Sequence, residues 1–329
     1  MVRAGRRTFA VLALVVALLA GSGMACAQSG PVRLRVSYNP VPFNAPTILM
    51  RQGLLEERLS PMGIQVEWVG GLLKGSLMTE SMAAGELDIA SVMGGTSAIV
   101  SFAGGRDIVL VAGYSRAPRG FGIVVRADSP IASVADLKGK VVVGPAGTEV
   151  HYLLARALEE AGLTLDDVQF LNDLVPNAIN YVINGHADAA LAVEPTMSAF
   201  ESQGRVRVLR TGEGLMPGAT FVAVRGQFLR DHPEVVVEYL RAQEAAAARA
   251  QDLDAGLLEL AAAELDLPLP VVERVAAKYR FSSELDLGAL EDLQAVADFL
   301  FERGLIARKI DVSAMIDRSL LDEARAPEQ

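Results

Sequence analysis

Three short segments carry residue types able to hold a small charged molecule: Gly94-Gly95-Thr96-Ser97, Gly147-Thr148 and Phe43-Asn44-Ala45-Pro46. Adjacent glycines let a bound group approach the backbone, and the hydroxyls of Thr96, Ser97 and Thr148 can donate. Each segment stands at the end of a strand-like stretch and opens a helical one. A helix start leaves backbone N–H groups unpaired and carries partial positive charge, so it suits anions. Any one of the three reads equally well as a capped turn. Three at corresponding sheet ends point to a shared cleft. Four side chains join them as candidates. Glu194 can face the cleft and pair with an ammonium group, or serve as a helix-start carboxylate. His151 can contact a ligand or pack as a buried ring. Tyr114 can cover a ligand or fill a hinge. Lys74 can neutralise an anion or stand solvated on the surface.

Other chemistries find no support. The three histidines, His151, His186 and His232, lack metal-ligand spacing. There is no Gly-x-Ser-x-Gly nucleophile turn and no phosphate-loop motif. Glu159-Glu160 and Asp166-Asp167 are sequence neighbours on polar segments, the usual solvated arrangement. No catalytic residue, metal ligand or cofactor site is therefore expected.

The elements that must position these residues alternate. Strand patterns at 32–36, 64–68, 87–92 and 107–112 are separated by helices at 46–59 and 76–84 and one opening near Thr96. The pattern restarts with strands at 122–125, 141–143, 168–171, 187–192, 206–209 and 219–225, again interleaved with helices. Such alternation predicts an α/β fold with parallel-rich sheets. Beyond Pro233 the reading is helical throughout: 233–252, 254–266, 270–280, 287–303 and a short helix near 313–320. Gly85-Glu86-Leu87-Asp88-Ile89-Ala90 and Gly185-His186-Ala187-Asp188-Ala189-Ala190 share Gly, Asp and Ala at the same offsets. The match is short enough to arise by chance; if real, it marks two similar halves.

With 51% hydrophobic and 21% charged residues, the 329-residue chain can bury two cores of ordinary domain size. Its net charge of −10 makes nucleic acid or an anionic membrane a poor partner. Arg3, Arg6 and Arg7, the apolar run from Phe9 to Ala20 and Ala25-Cys26-Ala27 have the order of a secretory leader, residues 1–27, cut before Gln28. The run is shorter than the ~20 residues of a spanning helix. Arg6-Arg7-Thr8-Phe9 resembles a twin-arginine signal, although Gly5 and the lack of a following Lys depart from it, so the export route stays open. Lipidation at Cys26, the single cysteine, is disfavoured because Gly23 stands where a lipobox has Leu. Without Cys26 the mature chain has no disulfide or thiolate chemistry.

Residues from Val32 to about Ala250 resemble the sulfonate, taurine and nitrate solute-binding proteins of ABC transporters, a group that includes thiamine-precursor binders. The resemblance rests on Gln52-Gly53-Leu54-Leu55-Glu56, Ala84-Gly85-Glu86-Leu87-Asp88, Ser133-Val134-Ala135-Asp136-Leu137-Lys138-Gly139-Lys140 and His151-Tyr152-Leu153-Leu154. The family often shows Trp-Asp-Pro where this chain has Val193-Glu194-Pro195, and a Gly-Pro before the helix that here follows Lys74-Gly75-Ser76. Asn39-Pro40-Val41-Pro42-Phe43-Asn44 also differs from sulfonate binders. The resemblance implies a two-lobed periplasmic-binding-protein fold of type II with a helical C-terminal extension. Lobe 1 is expected at 31–115 plus 222–329 and lobe 2 at 116–221, with the ligand between them. It further implies a periplasmic monomer that captures a small polar or anionic organic ligand for a membrane permease. The rival readings are an enzyme or pyrimidine-precursor binder of the same fold and a sensory protein serving a receptor kinase.

Overall fold

The computed structural model describes residues 32–327 apart from Pro40, Val41, Leu73 and Asp254. The leader segment and Cys26 lie outside the described residues.

Two sheets organise the chain. Strands β1 (Arg33–Ser37), β2 (Gln65–Val69), β3 (Ile89–Gly94) and β4 (Ile108–Arg116) come first. Strands β5 (Phe121–Arg126), β6 (Val141–Gly144), β7 (Gln169–Asn172), β8 (Ala189–Val193) and β9 (Val206–Thr211) follow. Then β10 (Ala219–Arg225) and β11 (Arg280–Phe281) return to the first set. The six-stranded sheet has the order β11-β4-β10-β3-β1-β2, and the five-stranded sheet β7-β6-β8-β5-β9. Leaving out β11, the two orders correspond strand for strand. In each, three parallel strands meet one antiparallel strand that arrives from the other sheet: β10 in the first, β5 in the second. This is the two-lobed binding-protein architecture.

The short sequence echo has a structural counterpart. Gly85 (φ 73°) and Gly185 (φ 75°) each end a helix in the left-handed region, where a Cβ is unfavourable. Three residues on, Asp88 Oδ2 accepts the N–H of Arg35 in β1 at 2.9 Å, and Asp188 Oδ2 accepts that of Val141 in β6 at 2.9 Å. Each aspartate thus ties the first parallel strand of its sheet to the third. Asp88 carries a further bond from Arg225 at 2.5 Å, which secures β10.

The cores follow from spacing. In the helix Pro233–Gln251, Val236, Leu240, Gln243, Ala247 and Ala250 recur at intervals of three and four and form one buried stripe. That stripe packs with Leu34, Val36, Ile48 and Val222 in the core of the six-stranded sheet. Burying each large aliphatic side chain contributes about 1.5–3 kcal/mol. Gln243 is tolerated there because its Nε2 donates to the Gly113 carbonyl at 2.9 Å.

Two expectations are corrected. The helix expected over 46–59 is broken: Ala45–Leu49 and Leu55–Leu59 flank a wide turn in which Gly53 has φ 103°. The helix expected over 270–280 ends at Ala276, and Arg280–Phe281 forms β11 against Arg116 and Ser115 of β4. Phe281 thereby joins Phe43, Tyr114 and Tyr279 in an aromatic cluster with ring centroids 5.4–6.1 Å apart. Tertiary packing there overrides helical propensity.

Candidate functional site

A cavity of about 100 Å³ lies where the carboxyl ends of the parallel strands of both sheets converge. From the six-stranded sheet, the end of β3 contributes Val92, Met93 and Gly94, the helix start after β2 contributes Lys74 and Gly75, and the helix start after β3 contributes Ser97. From the five-stranded sheet come Thr148 and Glu149 after β6, Val175 and Pro176 at the start of the helix Val175–Ile183, and Val193 at the end of β8. Phe121 and Thr220 line it where the chain crosses between the sheets. Four helices of nine or more residues, Gly75–Ala83, Gly95–Ala103, Glu149–Glu160 and Val175–Ile183, therefore begin around one space. Each helix start brings partial positive charge towards the cavity, whose lining holds one carboxylate.

That carboxylate belongs to Glu149, the first residue of its helix. It reaches across to the other sheet's helix Gly95–Ala103. Oε1 accepts the backbone N–H of Thr96 at 2.6 Å and that of Ser97 at 3.3 Å, and Oε2 accepts the Ser97 hydroxyl at 3.4 Å. Glu149 is 8% exposed. Burial pushes its pKa up, and the backbone donors pull it down without cancelling that effect. Gly94 leaves room for this contact. Its φ of −70° suits any residue, but a Cβ there would stand 1.9 Å from Glu149 Oε2.

The model of the NMT1/THI5-like family matches residues 61–252, more than half of the chain. The chain belongs to the NMT1/THI5-like family. Over 94% of its length it is 29% identical to the putative aliphatic sulfonates-binding protein of Escherichia coli K12, spanning 96% of that protein. The alkanesulfonate-binding protein SsuA from Xanthomonas axonopodis pv. citri, solved bound to MOPS, superposes with a TM-score of 0.81 at 26% identity, covering 88% of this chain and 99% of that one. The desulfurization enzyme DSZB shares the fold alone, with a TM-score of 0.65 at 20% identity over 89% of this chain and 98% of that one.

Within this NMT1/THI5-like chain the expected site residues divide. Gly94, Ser97 and Thr148 line the cavity. Thr148 also holds its own turn, with Oγ1 donating to the Pro145 carbonyl at 2.7 Å. Gly95 and Thr96 lie on the far side of the same helix start, in a narrow pocket of about 20 Å³ beside Tyr152 and Leu293. Gly147 adopts φ 69° and donates its N–H to His151 Nδ1 at 3.2 Å.

Five side chains proposed as contacts are turned to other work. Glu194 is fully buried away from the cavity. Its oxygens accept the Ser198 N–H at 3.0 Å and the Ser198 hydroxyl at 2.7 Å, and they pair with Lys278. It accepts a first-turn N–H of the helix Thr196–Ser202, the helix-start role that its position before Pro195 left open. His151 stacks on Phe170 at 4.7 Å, and burial lowers its pKa. Tyr114 is buried and accepts the Thr47 N–H at 3.0 Å; burial pushes its phenol pKa up. Phe43 packs on Tyr279 and Phe281. Asn44 donates to the Asn39 carbonyl at 2.5 Å, so its turn serves the fold, and among the described residues of that segment Pro42 reaches the cavity.

Sequence reasoning missed Glu149, Val175 and Pro176 and left Lys74 open. Lys74 is half-buried, lines the cavity and makes no ion pair among the described residues. The available signal for Val175 was Pro176, a residue favoured in a helix's first turn. Glu149 reads locally as an acid at a helix start, favoured by the dipole and nothing more. Among the described residues no group of acidic, His or Cys side chains could hold a metal, and no helix is long and apolar enough to cross a membrane.

Proposed function

We propose that this protein is an exported solute-binding protein that takes a small organic anion of the sulfonate class into the cavity between its sheets and delivers it to an ABC permease. The observation that carries the reading is the convergence of four helix starts from both sheets on one cavity that also holds the ammonium of Lys74, which makes no ion pair among the described residues. Backbone N–H groups and Lys74 supply donors for an anionic head. Met78, Val92, Phe121 and Val193 supply an apolar wall for a short organic body. The names of the E. coli and Xanthomonas relatives support the same ligand class. Ligand groups from both sides would hold the two sheets closed, and the closed form would engage the permease. Residues 1–27 would direct export and be removed, leaving a mature chain that begins at Gln28.

A screen of alkanesulfonates, taurine, nitrate and aminopyrimidines by thermal shift, followed by calorimetry, tests the reading. A ligand present at a hundredfold its Kd stabilises the folded chain by about 2.7 kcal/mol, a visible melting shift. Organosulfonates are expected to give the largest shifts. A pyrimidine giving the largest shift would instead favour the precursor-binding reading, for which a buried acceptor at Glu149 and apolar walls are suitable. Turnover of any bound compound would favour an enzyme.

A further inference from the structure

The seat that lobe 1 offers an anion is already filled by the chain's own carboxylate. Glu149 crosses from the five-stranded sheet and takes the backbone N–H groups of Thr96 and Ser97 at the start of the helix Gly95–Ala103. The contact is built rather than incidental. It is buried, it joins residues 53 positions apart, and the glycine at 94 leaves room for Oε2. A second anion placed beside it would meet like charge in a site shielded from water, where repulsion is strong. Lys74 lies at a different helix start, that of Gly75–Ala83. With the Glu149 carboxyl ionised, the cavity is therefore bordered by one negative and one positive side chain.

We infer that Glu149 determines ligand charge in this cavity: it closes the Gly95–Ala103 helix start to a ligand's anionic head and accepts a cationic or N–H donor group there, leaving the head to the Lys74 side. This rests on the proposed binding of organosulfonates and narrows it to amine-bearing ones. Glu149 Oε2 retains accepting capacity for that donor, since its hydrogen bond from the Ser97 hydroxyl is long at 3.4 Å. An ammonium group against Oε2 also favours the charged carboxylate, offsetting part of its desolvation.

The test compares 3-aminopropanesulfonate with 1-propanesulfonate by calorimetry at about pH 8, where the carboxyl ionises more fully. Wild type, Glu149→Gln and, should that variant fail to fold, Glu149→Asn are titrated with both. Wild type is expected to bind the amine-bearing compound at least roughly tenfold more tightly, the equivalent of 1.4 kcal/mol. The variant is expected to lose that preference by gaining affinity for propanesulfonate. Equal binding of the two by wild type, or an unchanged ratio in the variant, overturns the role of Glu149 and leaves the sulfonate reading standing. If neither compound binds wild type or variant, the sulfonate reading fails and the inference falls with it.

Discussion

Glu194 and Lys278 form an ion pair that fastens the end of β8, in the five-stranded sheet, to the segment just before β11 at the edge of the six-stranded sheet. The Glu194 side chain is fully buried and that of Lys278 is 22% exposed. Lys278 Nζ also lies 3.2 Å from the Ser198 hydroxyl. The two sheets are thus joined by a side-chain pair as well as by the crossings on either side of residues 121–211.

Removing one partner of a buried pair leaves the other uncompensated, which costs 3–5 kcal/mol in fully buried cases, as a rough guide. Water reaches Lys278, so Glu194→Gln is expected to cost about 2–3 kcal/mol of stability, read by urea denaturation. Affinity for ligand should change little, since Glu194 does not line the cavity. A variant as stable as wild type would show that the pair contributes nothing net.

Gly94→Ala is expected to destabilise by about 1–3 kcal/mol, the usual range for forcing an extra group into a packed site. The cause is specific: the new Cβ would fall 1.9 Å from Glu149 Oε2. In a Glu149→Ala background the same change should therefore cost less than about 0.5 kcal/mol. Additive effects of the two substitutions in the double-mutant cycle would refute the contact.

Stability should depend on pH through Glu149 in a set direction. Its folded-state pKa is raised above the unfolded value near 4.5, chiefly by burial. Between those two values the folded chain binds more protons than the unfolded one, so this group makes stability fall as pH rises. As pH drops through the raised folded-state pKa towards 4.5, wild type should gain stability relative to Glu149→Gln, whose side chain does not titrate. Taking the difference between the two proteins cancels groups they share, including His151 and the exposed aspartates. A difference that is flat or runs the other way would mean the carboxylate is not desolvated in solution.

Thr148→Val should lower stability by about 1 kcal/mol even without ligand, because it removes the donor to the Pro145 carbonyl. Thr148→Ser keeps the hydroxyl and should restore most of the loss. Melting temperatures of the two variants, measured side by side, decide it: equal losses would show that the hydrogen bond does not hold the turn.

Much of this architecture is written in local sequence. The alternation of strand and helix patterns, the glycine turns at 94–95 and 147, and the repeated Gly85/Asp88 and Gly185/Asp188 spacing each depend on residues a few positions apart, and local rules read them. The stripe of the helix Pro233–Gln251 is likewise a matter of period. Tertiary structure alone decided which carboxylate meets the cavity. Glu194 and Glu149 both stand at helix starts, and the helix dipole favours an acid equally at either. Glu194 turns into its own helix start because Ser198 lies one turn on and Lys278, distant in sequence, closes over it. Glu149 reaches another sheet because the two chain crossings bring the Gly95–Ala103 helix opposite it. No property of the residues flanking 149 or 194 encodes that opposition, since it is a relation between surfaces that meet only once both sheets are folded.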